Sequence, residues 1–322
     1  MVLSPVMVVG GSGFLGSHVC RELAERNIEV ISFDIQSSDF QSRKSQPTTG
    51  SIRFVKGDIL DPESLVDCVN DFKVTGIIHT VAAGNEAAAR QDPHPAITLN
   101  VQGTLNVLEA ARKNQVGRFV YISTAGVYGR RSNEEPIKED EAITWRGTIY
   151  HPSHYMGEVL VEMYHRVYEM ETVILRPLSI YGPALSSNRE RHLQTKSLFL
   201  GAWIMKALKG EVVEIRSDTL TDLTYVKDVA TAVYLAYSNP DLKQGVYNVS
   251  SGVLVSYKDI ALTLQKYLPH AKFEFRPGVQ DNPLRPNRGP LDISRAKEAV
   301  HFVPQYGLGR GMHDFIEWCI AS

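Results

Sequence analysis

Cysteine is scarce in this chain. Three occur in 322 residues, Cys20, Cys68 and Cys319, too few for a disulfide framework and too far apart for metal-ligand spacing. That usage points to a reducing, cytoplasmic compartment and to no metal site. Long hydrophobic runs are also missing. The longest, Leu198 to Leu208, is about half of what a membrane-spanning helix needs and reads as a core helix. No excess of either charge is present: the formal net charge is −2, so neither a nucleic-acid surface nor a membrane surface is indicated. No basic segment precedes the first apolar run, which argues against a signal peptide, and no internal repeat is visible. What is present is the composition of an ordinary soluble protein, 43% hydrophobic and 22% charged. Its length suits one large α/β domain with a smaller part.

Residues 6 to 34 carry the most information. Val6, Met7, Val8 and Val9 form a continuous apolar run, the pattern of a strand buried on both faces. Gly10, Gly11, Gly13 and Gly16 follow, and a helical spacing of apolar residues begins at once with Phe14, Leu15, Val19 and Leu23. A second β-rich run, Val30 to Phe33, ends in Asp34. Glycines at such a turn let the backbone approach a pyrophosphate, whose charge then sits at the positive end of the new helix. An acidic residue closing the second strand accepts both hydroxyls of an adenosine ribose. Glycines alone are a weak signal, because ordinary strand-to-helix turns use them too. Strand, glycines, helix, strand and Asp34 together predict a dinucleotide site. Asp34 would repel a 2′-phosphate, and no Arg or Lys follows before Arg43, so the expected cofactor is NAD rather than NADP.

Strand-like and helical patterns alternate up to about residue 180. Strands are expected at Ile52–Val55, Gly76–His79, Arg118–Thr124 and Thr172–Leu175; helices are expected from Pro62, over Ile97–Ala111 and over Tyr150–Val167. Such alternation gives parallel strands joined by right-handed crossovers, hence an α/β fold with a doubly wound parallel sheet. Gln36–Gly50 and the charged Arg130–Glu141 read as solvated loops. After Pro183 the rhythm becomes irregular. We therefore expect a Rossmann domain over 1–180 and a substrate-binding cap over 181–322, with segments near 225–250 returning to the sheet. In that later part Val246–Val249 reads as a strand and Ser256–Leu268 as a capped helix.

A long series of ordered motifs accompanies this pattern: Gly10-x-x-Gly13-x-x-Gly16, Gly57-Asp58-Ile59, His79-x-x-Ala82-Ala83 and Asn100-Val101-x-Gly103-Thr104. They continue with Ser123-Thr124-Ala125-Gly126-Val127-Tyr128-Gly129, Tyr150 with Glu158, Arg176-Pro177-x-x-x-Tyr181-Gly182-Pro183, Tyr225-Val226-x-Asp228 and Tyr247-Asn248-Val249. Over essentially its whole length the chain resembles the extended short-chain dehydrogenase/reductases of the NAD-dependent epimerase/dehydratase group. The resemblance implies a catalytic tyrosine at Tyr150 and a hydroxyl partner at Thr124. It implies NAD contacts from Gly10, Gly13, Phe14, Leu15, Gly16, Asp34, Asp58, Ile59, Ala82, Ala83, Asn100, Ser123, Tyr150, His154 and Pro177. It implies substrate contacts from Gly84, Thr124, Ala125 and Ser179, with Arg285 or Arg288 on the phosphates. It also implies a homodimer, paired through the helix after Asn100 (Leu105, Val107, Leu108) and the helix bearing Tyr150 (Val159, Leu160, Met163, Tyr164).

Several positions depart from the family pattern. The lysine expected four residues after the tyrosine is His154, which spacing places one helical turn beyond Tyr150 on the same face. A histidine is mostly neutral above pH 7 and supplies little of lysine's fixed charge. Ala125 and Gly126 stand where relatives that dehydrate or decarboxylate sugar nucleotides carry acidic residues; Ser179 and Thr221 replace an expected asparagine and arginine. The expectation is an NAD-dependent epimerase or oxidoreductase acting on a carbinol of a sugar-like or nucleotide-sugar substrate. Two alternatives remain at this stage: a dehydrogenase or lyase on a small non-nucleotide polyol, and an NAD-binding protein with impaired turnover.

Overall fold

The computed structural model describes residues 4–36, 49–83, 86–129, 135–144, 148–185, 199–216, 219–276 and 289–321. Its centre is a seven-stranded parallel sheet built from β1 (Val6–Val9), β2 (Val30–Asp34), β3 (Ile52–Lys56), β4 (Gly76–His79), β5 (Arg118–Ile122), β6 (Thr172–Pro177) and β7 (Gly245–Val249). The order across the sheet is β7-β6-β5-β4-β1-β2-β3. Every residue of β1 is fully buried, because β1 lies at the middle with helices on both faces, and this explains its unbroken apolar run. Parallel register places Val9 opposite both Phe33 and His79. Chain direction across the sheet reverses between β1 and β4, the switch point at which open α/β sheets bind ligands.

One face is covered by α1 (Phe14–Glu25) and by α6 (Val226–Ser238), whose Val229, Val233 and Ala236 pack with Val19 and Leu23 against Val6, Val8 and Val120. The other face carries α2 (Pro62–Asp71), α3 (Thr104–Lys113) and α4 (Tyr150–Tyr168) over Met7, Ile31, Ile77 and Phe119. Past the sheet, α5 (Phe199–Leu208), α7 (Tyr257–Tyr267) and α8 (Leu308–Ile320) share a separate core of Leu200, Ile204, Leu264, Met312, Phe315 and Ile316. Ser256 caps α7 in a reciprocal box with Asp259. Among the described residues, no helix is long and apolar enough to cross a membrane.

Two expectations need correction and a third is refined. The helix expected over 97–111 is present and longer, running without a break from His94 through a π-helical turn at Thr98–Gly103 into α3. The described part of the expected solvated loop at 130–141 is anchored: Ile137 is fully buried and bridges Leu291, and the Glu139 side chain is 4% exposed. Charge density misled the reading, because Glu139 is turned inward to accept a hydrogen bond from the Asn248 amide (2.9 Å). Finally, Val107, Leu108 and Tyr164, expected at a dimer seam, are core residues at 0%, 0% and 7% exposure.

Candidate active site

The expected site residues leave the sheet one after another at its carboxyl edge. Gly10–Gly16 follow β1, Asp34 closes β2, Asp58 and Ile59 follow β3, Ala82 and Ala83 follow β4, Ser123 and Thr124 follow β5, and Pro177 ends β6. Gly10 takes φ +83°, and a Cβ on Gly16 would collide with the Gly10 carbonyl. Only glycines allow that tight a turn with α1 drawn so close beneath it. The N-terminus of α1 has no side-chain cap and no acidic residue in its first turn, and the positive end of a helix favours an anion. Beside it the Ser12 hydroxyl is buried with no hydrogen-bond partner among the described residues. Asp34 stands against this turn, accepting from the amides of Ser12 (3.0 Å) and Gln36 (3.1 Å). Asp58 is exposed and accepts from the Leu60 amide at 2.9 Å. Ile59 is buried against Gly103, and its carbonyl accepts from Asn106 at 2.9 Å.

The π-helical turn brings Asn100 inward. Its Oδ1 accepts from the Ala83 amide (2.7 Å) and its Nδ2 donates to Ser153 Oγ (2.8 Å), which donates to the Tyr150 carbonyl (2.7 Å). One buried asparagine thus ties the loop after β4 to the first turn of α4. Below it Thr104 Oγ1 donates to the Asn100 carbonyl (2.8 Å) and lies 3.0 Å from His79 Nε2. Burial, with a smaller push from His154, lowers His79 to about 3.

Tyr150 opens α4 half-buried, and its ring meets His154 edge-on at 4.9 Å between centroids. Burial first, and the Glu86 carboxylate second, push the Tyr150 phenol up to about 12. His154 is 3% exposed, both ring nitrogens lack a hydrogen-bond partner among the described residues, and burial lowers it to about 4. It is therefore neutral at pH 7 and cannot supply lysine's charge. Thr124 Oγ1 accepts from the Gly126 amide (3.1 Å) at the head of a short turn, Ala125–Tyr128, in which Ala125 is buried. Ser179 is exposed with φ +44° beyond β6. Gly84, Arg285 and Arg288 lie outside the described residues.

Ser123 is placed differently from the rest: its hydroxyl donates to Glu158. Glu158 is held bidentately by Arg176 (2.9 and 2.6 Å), which also donates to Tyr128 Oη (2.9 Å), and that hydroxyl donates to Asn248 (2.7 Å). This buried network joins β5, α4, β6 and β7 directly behind the site. Its members all lie in the motifs, but sequence spacing does not show who partners whom. Sequence reasoning also missed His151 and Glu86, whose Nε2 and Oε1 lie 3.9 Å apart beside Tyr150. A histidine directly after the tyrosine was the available signal.

Fold and site together define a dinucleotide-dependent α/β enzyme with a tyrosine at the head of a sheet-packed helix. The chain belongs to the NAD dependent epimerase/dehydratase family, whose model matches residues 6–250, and NAD is that family's cofactor. It is 29% identical over 318 residues to a putative UDP-glucose 4-epimerase of Methanocaldococcus jannaschii, covering 97% of each chain. It is 27% identical to UDP-glucuronic acid decarboxylase 4 of Arabidopsis thaliana, covering 95% of this chain and 66% of that one. Among solved structures, the Thermus thermophilus UDP-glucose 4-epimerase complex with NAD superposes with a TM-score of 0.82 at 25% identity, covering 98% of this chain and 99% of that one.

Proposed function

We propose that this chain epimerises a nucleotide-sugar by transient oxidation of one carbinol. The observation that carries the reading is the meeting of Tyr150 with the buried, unpartnered His154 beside Asn100 and the loop after β4. The residues fit a bound NAD: a Cβ on Gly10, Gly11 or Gly16 would collide with its neighbours, and among the described residues the buried Ser12 hydroxyl and both His154 ring nitrogens have no hydrogen-bond partner. In this reading the amides opening α1, at Phe14 and Leu15, take the pyrophosphate. Asp34 takes the adenosine ribose, with Asp58 and Ile59 at the adenine. Ala82, Ala83 and Asn100 support the middle of the cofactor, His154 takes the second ribose, and Ser123 and Pro177 back the nicotinamide. When bound, the nicotinamide supplies a hydride acceptor and donor.

The protein's own part is to hold the carbinol. Tyr150, a neutral phenol at pH 7, donates a hydrogen bond to its oxygen, and Thr124 binds the same oxygen. Ala125 and Gly126 leave no acidic group on that turn, which favours return of the hydride over loss of water or carbon dioxide. Gly84, Ser179 and the region from residue 181 onward, with Arg285 and Arg288, form the substrate side. We read the assembly as a homodimer. Met156, Val159, Met163 and Val167 form a stripe along α4 that is 41%, 42%, 46% and 56% exposed, against which α4 and α3 of a second copy would pack.

Incubation with NAD and a panel of UDP- and dTDP-sugars alongside simple sugar acids tests the substrate class. Proton NMR should report an inverted ring carbon in a nucleotide-sugar, without net NADH absorbance. Conversion of sugar acids alone, or accumulation of NADH, would contradict the reading.

A further inference from the structure

The chain from Gly289 onward, part of the substrate side, is fastened to residues 135–144 by a parallel bridge of Ile137 with Leu291. The Ile137 amide donates to the Pro290 carbonyl and the Asp292 amide to the Ile137 carbonyl, both at 2.9 Å. Asn248, fully buried in β7, clamps the two pieces together. Its Nδ2 donates to the carbonyls of Ile137 (2.9 Å) and Asp292 (3.2 Å), and its amide donates to Glu139 Oε1 (2.9 Å). Asp222, also buried, accepts from the Leu291 amide (3.1 Å) and from the hydroxyls of Ser250 (2.7 Å) and Ser251 (2.6 Å). These contacts form a clasp.

Tyr128 joins the clasp to the edge of the sheet. The residue is buried, and its hydroxyl donates to Asn248 Oδ1 (2.7 Å) while accepting from Arg176 (2.9 Å). Arg176 holds Glu158, which accepts from Ser123. Tyr128 also ends the turn that Thr124 heads, and its carbonyl accepts from Thr144 Oγ1 at 2.8 Å. One phenol hydroxyl therefore stands between the clasp and the residues read above as contacts to cofactor and carbinol.

We propose that Tyr128 is a positioning residue: its hydroxyl fixes the spacing between the Thr124 turn and the substrate-side clasp. A carbinol bound at Thr124 and the rest of the same substrate are thereby held in one alignment. A hydroxyl suits this task because it donates and accepts at once, and opening the joint would leave buried partners unpaired. Misplacing a reacting group by about 1 Å can cost about 100-fold in rate. The kinetic part of the proposal rests on the nucleotide-sugar reading; the mechanical link does not.

Hydrogen exchange of the full chain with NAD, followed by mass spectrometry, tests the link without a substrate. In Tyr128→Phe the amides of 124–129, 137–139 and 290–292 should exchange faster by about tenfold or more, while those of β1 and β2 stay unchanged. Loosening of one half alone, of neither, or of β1 and β2 as well overturns the proposal. If Tyr128→Phe does not fold, Glu139→Ala loosens the clasp from its other end. The same amides should then exchange faster, and Glu139→Gln, which keeps an acceptor for the Asn248 amide, should restore them; an unmoved Thr124 turn in Glu139→Ala overturns the link. On a converted nucleotide-sugar, Tyr128→Phe should lower kcat by about tenfold or more with NAD affinity within about twofold. A wild-type kcat, or NAD affinity that falls in step with kcat, also overturns it. If the wild type converts no nucleotide-sugar, that reading fails while the exchange pattern still decides the link.

Discussion

At the scale of single residues, the exchange of lysine for His154 is the most consequential feature. A unit charge about 4 Å from the phenol is worth up to roughly 4 kcal/mol at an effective dielectric of about 20. Each pKa unit corresponds to about 1.4 kcal/mol. His154→Lys should therefore lower the Tyr150 ionisation, followed by absorbance near 295 nm, by about one unit or more; an unmoved phenol would show that the two side chains do not interact. Tyr150→Phe should cut turnover by about 100-fold or more while leaving NAD affinity nearly intact. Wild-type turnover in Tyr150→Phe would remove the tyrosine from the chemistry. The identity of both residues was legible in sequence, because their four-residue spacing on a helix is a local fact. The burial of His154 was not, since only the packed fold shows it to be 3% exposed.

At the scale of elements, the glycine turn, α1 and the end of β2 were readable because each obeys a short-range rule: apolar run, tight turn, terminal acid. Asp34 already accepts amide hydrogen bonds from Ser12 and Gln36, and its remaining charge would oppose a 2′-phosphate. NAD should bind more tightly than NADP by isothermal titration, and Asp34→Ala should narrow the gap; equal affinities in the wild type would contradict this role. The two faces of α4 were less legible. Periodicity marks apolar positions on both, but only the packed structure separates Tyr164, inside, from Met163, outside. In the proposed homodimer, Met163→Glu should yield a monomer by light scattering without loss of helical signal, and an unaffected dimer would place the seam elsewhere. The inward turn of 135–141 escaped sequence reasoning for a similar physical reason. Glu139 is satisfied by a partner more than a hundred residues away.

At the scale of the whole molecule, two buried neutral histidines lie against the site, lowered to about 3 at His79 and about 4 at His154. Both titrate near 6.5 in an unfolded chain. Between those values the unfolded state binds more protons, so stability rises with pH and is lost as pH falls below about 6.5. Each histidine contributes a slope approaching about 1.4 kcal/mol per pH unit in that window. Urea midpoints should fall from pH 7 to pH 5, and less so in His79→Phe; a flat profile would mean these rings are hydrated. The doubly wound order of the sheet was legible as a whole, because alternating strands and helices admit few topologies. The Glu158–Arg176–Tyr128–Asn248 network, which joins residues up to 120 positions apart, was visible only as separate motifs.

The central claim is that hydride leaves and returns to one carbon within a single bound complex. The most direct measurement uses a nucleotide-sugar that the protein converts, deuterated at the carbon that is inverted, incubated with the protein and NAD, with the product examined by NMR. The account predicts an epimer that keeps deuterium on the inverted carbon, with none in free reduced cofactor. An epimer carrying a solvent proton at that carbon, or deuterium collected in released NADH, would contradict it.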